Sequence, residues 1–195
     1  MCLSKGNPAS HTILIDCVSI PEIPYYSDSA LVLVHNGHYF CTGDDFHHIY
    51  EVEISKDGKN LKMIKQHPIE GLVRDMSQAT IEEIDYLFVL LADETVHIYR
   101  IDESALRPIN SFYFSNAYRI LWLRERGILL VAKCNCLHID PNTVLAVKFT
   151  ENFFEIQEEI TVIEPKSRIL TWIEISEDEI AMVYGKNEFV YLKIN

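Results

Sequence analysis

The chain has 195 residues, 48% of them apolar and 24% charged, so it is globular rather than disordered. One domain suits this length, with roughly 70% of the unfolded chain's surface buried on folding. Twenty-nine acids against 17 bases give a net charge of −12, which argues against a nucleic-acid backbone as the main partner, since phosphate binding needs clustered Lys and Arg. The acid excess is uneven. Glu151 to Asn195 holds ten acids and four bases, whereas Arg100 to Lys133 holds six bases and three acids. Opposed patches of this kind suit protein partners.

Met1 to Ser10 is polar, with Gly6, Asn7 and Pro8, and lacks the apolar stretch of a secretory signal. Residues 1–11 are expected to be a flexible N-terminus, followed by a single domain over 12–195. The longest apolar run, Tyr86 to Ala92, falls far short of the ~20 residues that span a bilayer. Five cysteines, at positions 2, 17, 41, 134 and 136, are an odd number without a disulfide framework. These features point to an intracellular protein with reduced thiols, cytoplasmic or nuclear.

In chain order, Thr12 to Val18 reads as a strand and Ala30 to Val34 as an apolar β-rich run. A repeat then emerges. Asp44 to Val52 and Asp93 to Ile101 match closely in residue type, 49 residues apart, and weaker copies follow at Pro141 to Phe149 and Lys186 to Ile194, after further steps of 48 and 45. Before each copy lies an apolar run: Ala30 to Val34, Tyr86 to Leu91, Ile128 to Ala132 and Ile180 to Val183. Turn formers or polar residues such as Asn36-Gly37 and Asp140-Pro141-Asn142 separate the two, so each unit contains a hairpin. An earlier strand recurs at Arg119 to Leu123 and Arg168 to Ile173, and a more polar one follows each hairpin at Leu61 to Ile64, Asn110 to Phe114 and Ile160 to Ile163. Helix competes with strand at Gln78 to Ile84 and Asn152 to Glu159.

Four strands in about 47 residues is the period of a propeller blade. A twisted four-stranded sheet has two faces to cover, and radial packing of sheets covers both. The expected fold is therefore all-β, a small or partial β-propeller of about four four-stranded blades. The last unit ends after its third strand, so Thr12 to Val18 is expected to close the last blade and remove a sheet edge. Four blades are few for a ring, which leaves open a closed monomer or part of a larger ring.

The run Asp93-Glu94-Thr95-Val96-His97-Ile98-Tyr99-Arg100 resembles the third strand of WD-repeat and related β-propellers, in a degenerate form. Tyr99-Arg100 stands where a tryptophan-aspartate pair would lie, and no Gly-His dipeptide opens a blade. The resemblance spans about 185 residues and implies a scaffold that holds protein partners on loops at one face, without catalysis.

The candidate chemistry is modest. Cys134, Cys136, His138 and Asp140 would share one face of a strand, but same-face neighbours lie about 6.5–7 Å apart, so a metal site there needs a bent loop or a second segment. Asp44, Asp45, His47 and His48 offer an acid beside an imidazole, as in a general base. Because His97 matches His48 in the next unit, a repeated structural position explains both more simply. There is no Gly-rich phosphate loop, Gly-x-Ser-x-Gly elbow or His-Glu-x-x-His motif, and no cofactor is expected. The acidic run Glu174 to Glu179 fits a solvated turn, or a site for a cation or basic peptide.

Arg119 and Arg168 each begin a first strand and lie near Trp122 and Trp172, a composition favoured at binding hot spots; their other reading is ion pairing with acids of the adjacent blade. With Tyr25, Tyr26 and Tyr118 they make up the candidate partner-binding face. The function expected is a protein-interaction scaffold. Its rivals are an enzyme or metal-binding protein using Cys134 to Asp140 or Asp44 to His48, and a partial ring that completes a larger assembly.

Overall fold

Alternation of apolar and polar residues at a spacing of two carries most of the chain into strands. The computed structural model describes residues 3–5, 13–15, 32–35, 38–42, 47–55, 61–102, 105–134, 142–150, 153, 155–163, 165, 168–176, 179–184 and 188–193. Among them are seventeen strands and no helix, so no helix is long and apolar enough to cross a membrane. The chain divides into two compact units, Met1–Val73 and Arg74–Asn195.

In the first unit, β1 (Leu3–Lys5) and β2 (Ile13–Ile15) form a two-stranded antiparallel sheet, with Leu3 opposite Ile15. A four-stranded meander follows: β3 (Val32–His35), β4 (His38–Thr42), β5 (His48–Ile54) and β6 (Leu61–Pro68). Cys41, Tyr50 and Val52 are buried on it, with Tyr39 and Met63 packed against them. Two expectations are corrected here. The run at 30–34, read as the strand paired with 44–52, supplies the first strand of the sheet, and β4 intervenes as the second. Its buried residues are Phe40, Cys41 and Thr42 rather than aliphatics, so it lacks the apolar run that marks the other second strands. Residues 13–15, expected to close the last sheet, pair instead with 3–5, and the last sheet has three strands. Closing a short local loop costs less entropy than joining opposite ends of the chain.

The second unit holds three sheets. The first comprises β7 (Val73–Ile81), β8 (Ile84–Leu91), β9 (Thr95–Asp102) and β10 (Ala105–Tyr113); the second β11 (Ala117–Leu123), β12 (Ile128–Lys133), β13 (Thr143–Phe149) and β14 (Ile156–Ile163); the third β15 (Ile169–Ser176), β16 (Glu179–Tyr184) and β17 (Glu188–Lys193). Each is an antiparallel meander in sequence order. Neither helical alternative forms among the described residues. Residues 78–84 run from the end of β7 through a turn at Glu82 and Glu83, with φ of 50° and 62°, into β8. Residues 156–159 open β14.

The middle sheet shows why the second strands read as unbroken apolar runs. Leu129 and Val131 of β12 face one core, with Phe88, Leu90, Val96 and Ile98 of the preceding sheet. Leu130 and Ala132, the alternate residues, face another core with Ile169, Ile180 and Met182 of the following sheet. Burial on both faces removes the polar alternate. An aromatic cluster fills the first of these cores: Phe88 stacks on Trp122 with centroids 5.1 Å apart and an interplanar angle of 15°, and Phe149 and Phe153 close around them. The outer strands β10 and β14 are largely exposed.

Candidate functional site

The first strands β7, β11 and β15 have one edge without a strand partner in their sheets, and such edges leave N–H and C=O groups open. Side chains of neighbouring first strands fill that of β11 and reach one amide of β15. Asp75 and Ser77 lie on the face of β7 that turns to β11; the Ile120 N–H donates to Asp75 Oδ2 at 2.8 Å and the Trp122 N–H to Ser77 Oγ at 2.8 Å. On the other side, the Trp172 Nε1–H of β15 donates to the Ile120 carbonyl at 3.2 Å, and the Glu174 carboxylate accepts the Arg124 backbone N–H. Arg74 donates to the Ala117 carbonyl at 3.1 Å.

This arrangement sets the place of the predicted contact residues. A register shift between Ala117 and Arg119 turns Tyr118 from the Trp122 side of β11 toward β15, where its hydroxyl accepts the Ile169 N–H at 2.7 Å. Burial pushes the Tyr118 hydroxyl up to about 12, so it stays protonated. Arg168 is exposed and lies over the Tyr118 ring, 4.8 Å from its centroid. Arg119 reaches Asp75 Oδ1 at 3.4 Å. The structure thus joins Tyr118 to Arg168 and gives Arg119 the inter-sheet acid partner that its second reading foresaw. Tyr25 and Tyr26 lie outside the described residues.

Asp75 is buried, and desolvation pushes its carboxyl up to about 6 despite Arg119 and the Ile120 and Met76 N–H groups, which act the other way. Burial likewise raises Glu174, against the Arg124 N–H.

In the first unit, Glu51 of β5 sits between two histidines, with Oε1 2.6 Å from His38 Nδ1 and Oε2 3.3 Å from His67 Nε2. Burial works to raise the Glu51 carboxyl, but the histidines hold it below its ordinary value. Burial lowers His67, against the pull of Glu51. Both shifts make acidification unfavourable for this sheet: the neutral imidazole loses its advantage below about pH 6.5, and the carboxylate loses its own at lower pH. His48 packs on Tyr50 and His97 on Tyr99 in the same third-strand position, at 6.0 and 6.2 Å between centroids, which supports the repeated structural role. Residues 44–46 and 135–140 lie outside the described residues, and among the described ones no three His, Cys, Asp or Glu converge as a metal site. Cys134 is half-buried; Cys41 is buried, which pushes its thiol up to about 12 and makes it unreactive.

At the opposite end of the blades from Tyr118 and Arg168 is a cavity of about 780 Å³. It is bounded by the end of β7, the Arg124-Glu125-Arg126-Gly127 turn between β11 and β12, and the passage from β13 to β14. Trp122, Phe149 and Phe153 give it an aromatic wall; Arg124, Arg126 and Lys148 supply three cations against one acid, Glu125. Phe153 is held at a φ of 57°, an unusual conformation for a bulky residue, by a bond from its N–H to the Thr150 carbonyl and one from Asn110 Nδ2 to its own carbonyl. The basic stretch 100–133 hinted at these cations. Their convergence with Lys148 and Phe153 depends on tertiary packing that no local signal records.

No family model and no curated protein matches the chain. Solved structures do. A putative 6-phosphogluconolactonase from Bacteroides uniformis superposes with a TM-score of 0.59 at 12% identity, over 85% of this chain and 50% of that one. YCF48 bound to D1 peptide superposes with a TM-score of 0.54 at 15% identity, over 90% of this chain and 53% of that one. The chain spans about half the length of both. At such identities the likeness speaks for fold alone, and the fold is an all-β partial propeller of about four blades.

Replacing Asp75 tests the edge contacts. Asp75→Ala strands the Ile120 N–H and removes the partner of Arg119, at a cost of about 3 kcal/mol; Asp75→Asn keeps an acceptor and costs less. The native carboxyl holds its proton to about pH 6 while the unfolded one releases it near 3.8. Wild type should therefore lose stability relative to Asp75→Asn as pH rises from about 4 to 6. Urea melts across that window check this, and a difference independent of pH contradicts it.

Proposed function

We propose that the protein is a non-catalytic interaction module of the β-propeller type, working inside the cell, that holds peptide segments of its partners against the ends of its blades. The observation that carries this reading is the cavity beside the Arg124–Gly127 turn: a concave, aromatic-walled site with cations at its rim, mounted on packed sheets. Rigid sheets that present variable loops are a common basis for recognition. That YCF48, similar in fold, is known with a bound peptide supports the same reading. Selection of a random dodecapeptide display library on the folded protein should enrich a consensus that binds saturably. No enrichment over a heat-unfolded control would contradict the proposal.

One observation favours a second reading, that the chain forms part of a larger ring. One face of the last sheet is buried through Trp172, Ile180, Met182, Val190 and Leu192, while Ile173, Ile175 and Tyr191 on the other are 48, 49 and 72% exposed. In the sheet of β11 to β14 just before it both faces are covered, and the compared structures are about twice as long. An apolar sheet face of this kind invites another blade. Sedimentation velocity should then show concentration-dependent association that Ile173→Asp reduces. A strictly monomeric wild type at all concentrations would contradict it.

A further inference from the structure

Building on the interaction reading, we propose that the cavity beside the Arg124–Gly127 turn is a site for an acidic peptide, taking an apolar side chain inward and carboxylates at its rim. Three observations lead there. The first is a buried donor: Trp122 lines the cavity at 5% exposure, and its Nε1–H has no hydrogen-bond partner among the described residues. A buried N–H left unpaired costs about 1–3 kcal/mol, and a peptide backbone carbonyl is an acceptor that recovers it once the site opens to admit one.

The second is the placement of charge. Arg124 and Lys148 are exposed at the mouth with Arg126 near them; Glu125 is the one acid among the lining residues, and Glu174 also acts on Arg124 from β15, in a chain whose net charge is −12. Screening over about 8 Å at physiological salt lets a ligand in the cavity respond to these cations more than to the distant acids. Guanidinium groups pair well with carboxylates. The third is the aromatic part of the lining. Trp122 is fixed by its stack on Phe88, and Phe149 and Phe153 complete a wall with no cation in it. A phosphate site gathers backbone N–H groups and cations around one anion. Here the cations stand at the mouth and the aromatic rings lie within, which suits an apolar residue flanked by Glu or Asp.

The probe is a fluorescein-labelled, end-capped peptide with three glutamates on each side of one phenylalanine, read by anisotropy. It should bind at least about tenfold more tightly than its all-glutamine counterpart and than the version with glycine for phenylalanine. The double variant Arg124→Gln/Lys148→Gln, at exposed positions and checked for folding by circular dichroism, should weaken it by about tenfold. In a Trp172→Phe protein, where Trp122 is the one tryptophan left, binding should shift the indole emission. Equal affinity for the glutamine peptide, or undiminished binding by the double variant, overturns the proposal. So does displacement by inorganic phosphate at the peptide's own concentration, which would reassign the site to phosphate esters. If the acidic probe fails while a display-selected peptide still binds the double variant at full strength, this assignment falls and the interaction reading stands.

Discussion

A β-sheet in a repeat of stacked sheets has a first strand whose outer edge meets no further strand, and each second amide and carbonyl along it needs a partner. On β11, and at Ile169 of β15, these partners are side chains from the neighbouring first strands. The edge of β11 is served from both sides, Asp75 and Ser77 reaching its amides from β7 and Trp172 and Glu174 reaching Ile120 and Arg124 from β15. Tyr118, displaced by a register shift in β11, does the same for Ile169. The sheets are thereby fixed in register along their first strands as well as pressed together by apolar side chains. Non-directional burial alone would let them slide, whereas hydrogen bonds to particular amides do not.

This constraint shapes what the ends of the blades present. Trp122 belongs to the same run of residues: its amide is held by Ser77, its ring by Phe88, and its buried indole N–H has no partner among the described residues. The Arg124 amide is held by Glu174, which anchors the start of the turn that carries Arg124 and Arg126. The contacts that set the spacing of the blades thus also set the geometry of the basic, aromatic-walled cavity. Arg119 and Tyr118, attractive as contact residues in the sequence, spend their polar groups on holding the sheets together, and Arg168 over the Tyr118 ring is the one of the three that is exposed.

Strands β8 and β12 were legible because burial on both faces makes them unbroken apolar runs, β16 because Ile180 to Val183 are apolar although one face of its sheet is exposed, and the third strands because a histidine and a tyrosine two residues apart recur in β5 and β9. Strand β7 was not, since Asp75 and Ser77 place polar groups where an isolated sheet would show apolar ones; their partners are β11 amides about 45 residues away. The first sheet was misread by one strand because β4 buries Phe40 and Cys41 in place of an aliphatic run. The acid partner of Arg119 was anticipated in kind but not in identity. The cavity was illegible because its wall comes from three connections that meet only after the sheets have packed.

Hydrogen exchange on the native protein, followed by NMR at single amides, tests the edge contacts most directly. Ile120 and Trp122 should be strongly protected although no strand pairs with that edge of β11, and Ser77→Ala should speed exchange at Trp122 far more than at Leu129 in the same sheet's interior. Wild-type exchange at Ile120 and Trp122 as fast as at an open sheet edge, or an equal response at Leu129, would contradict the account.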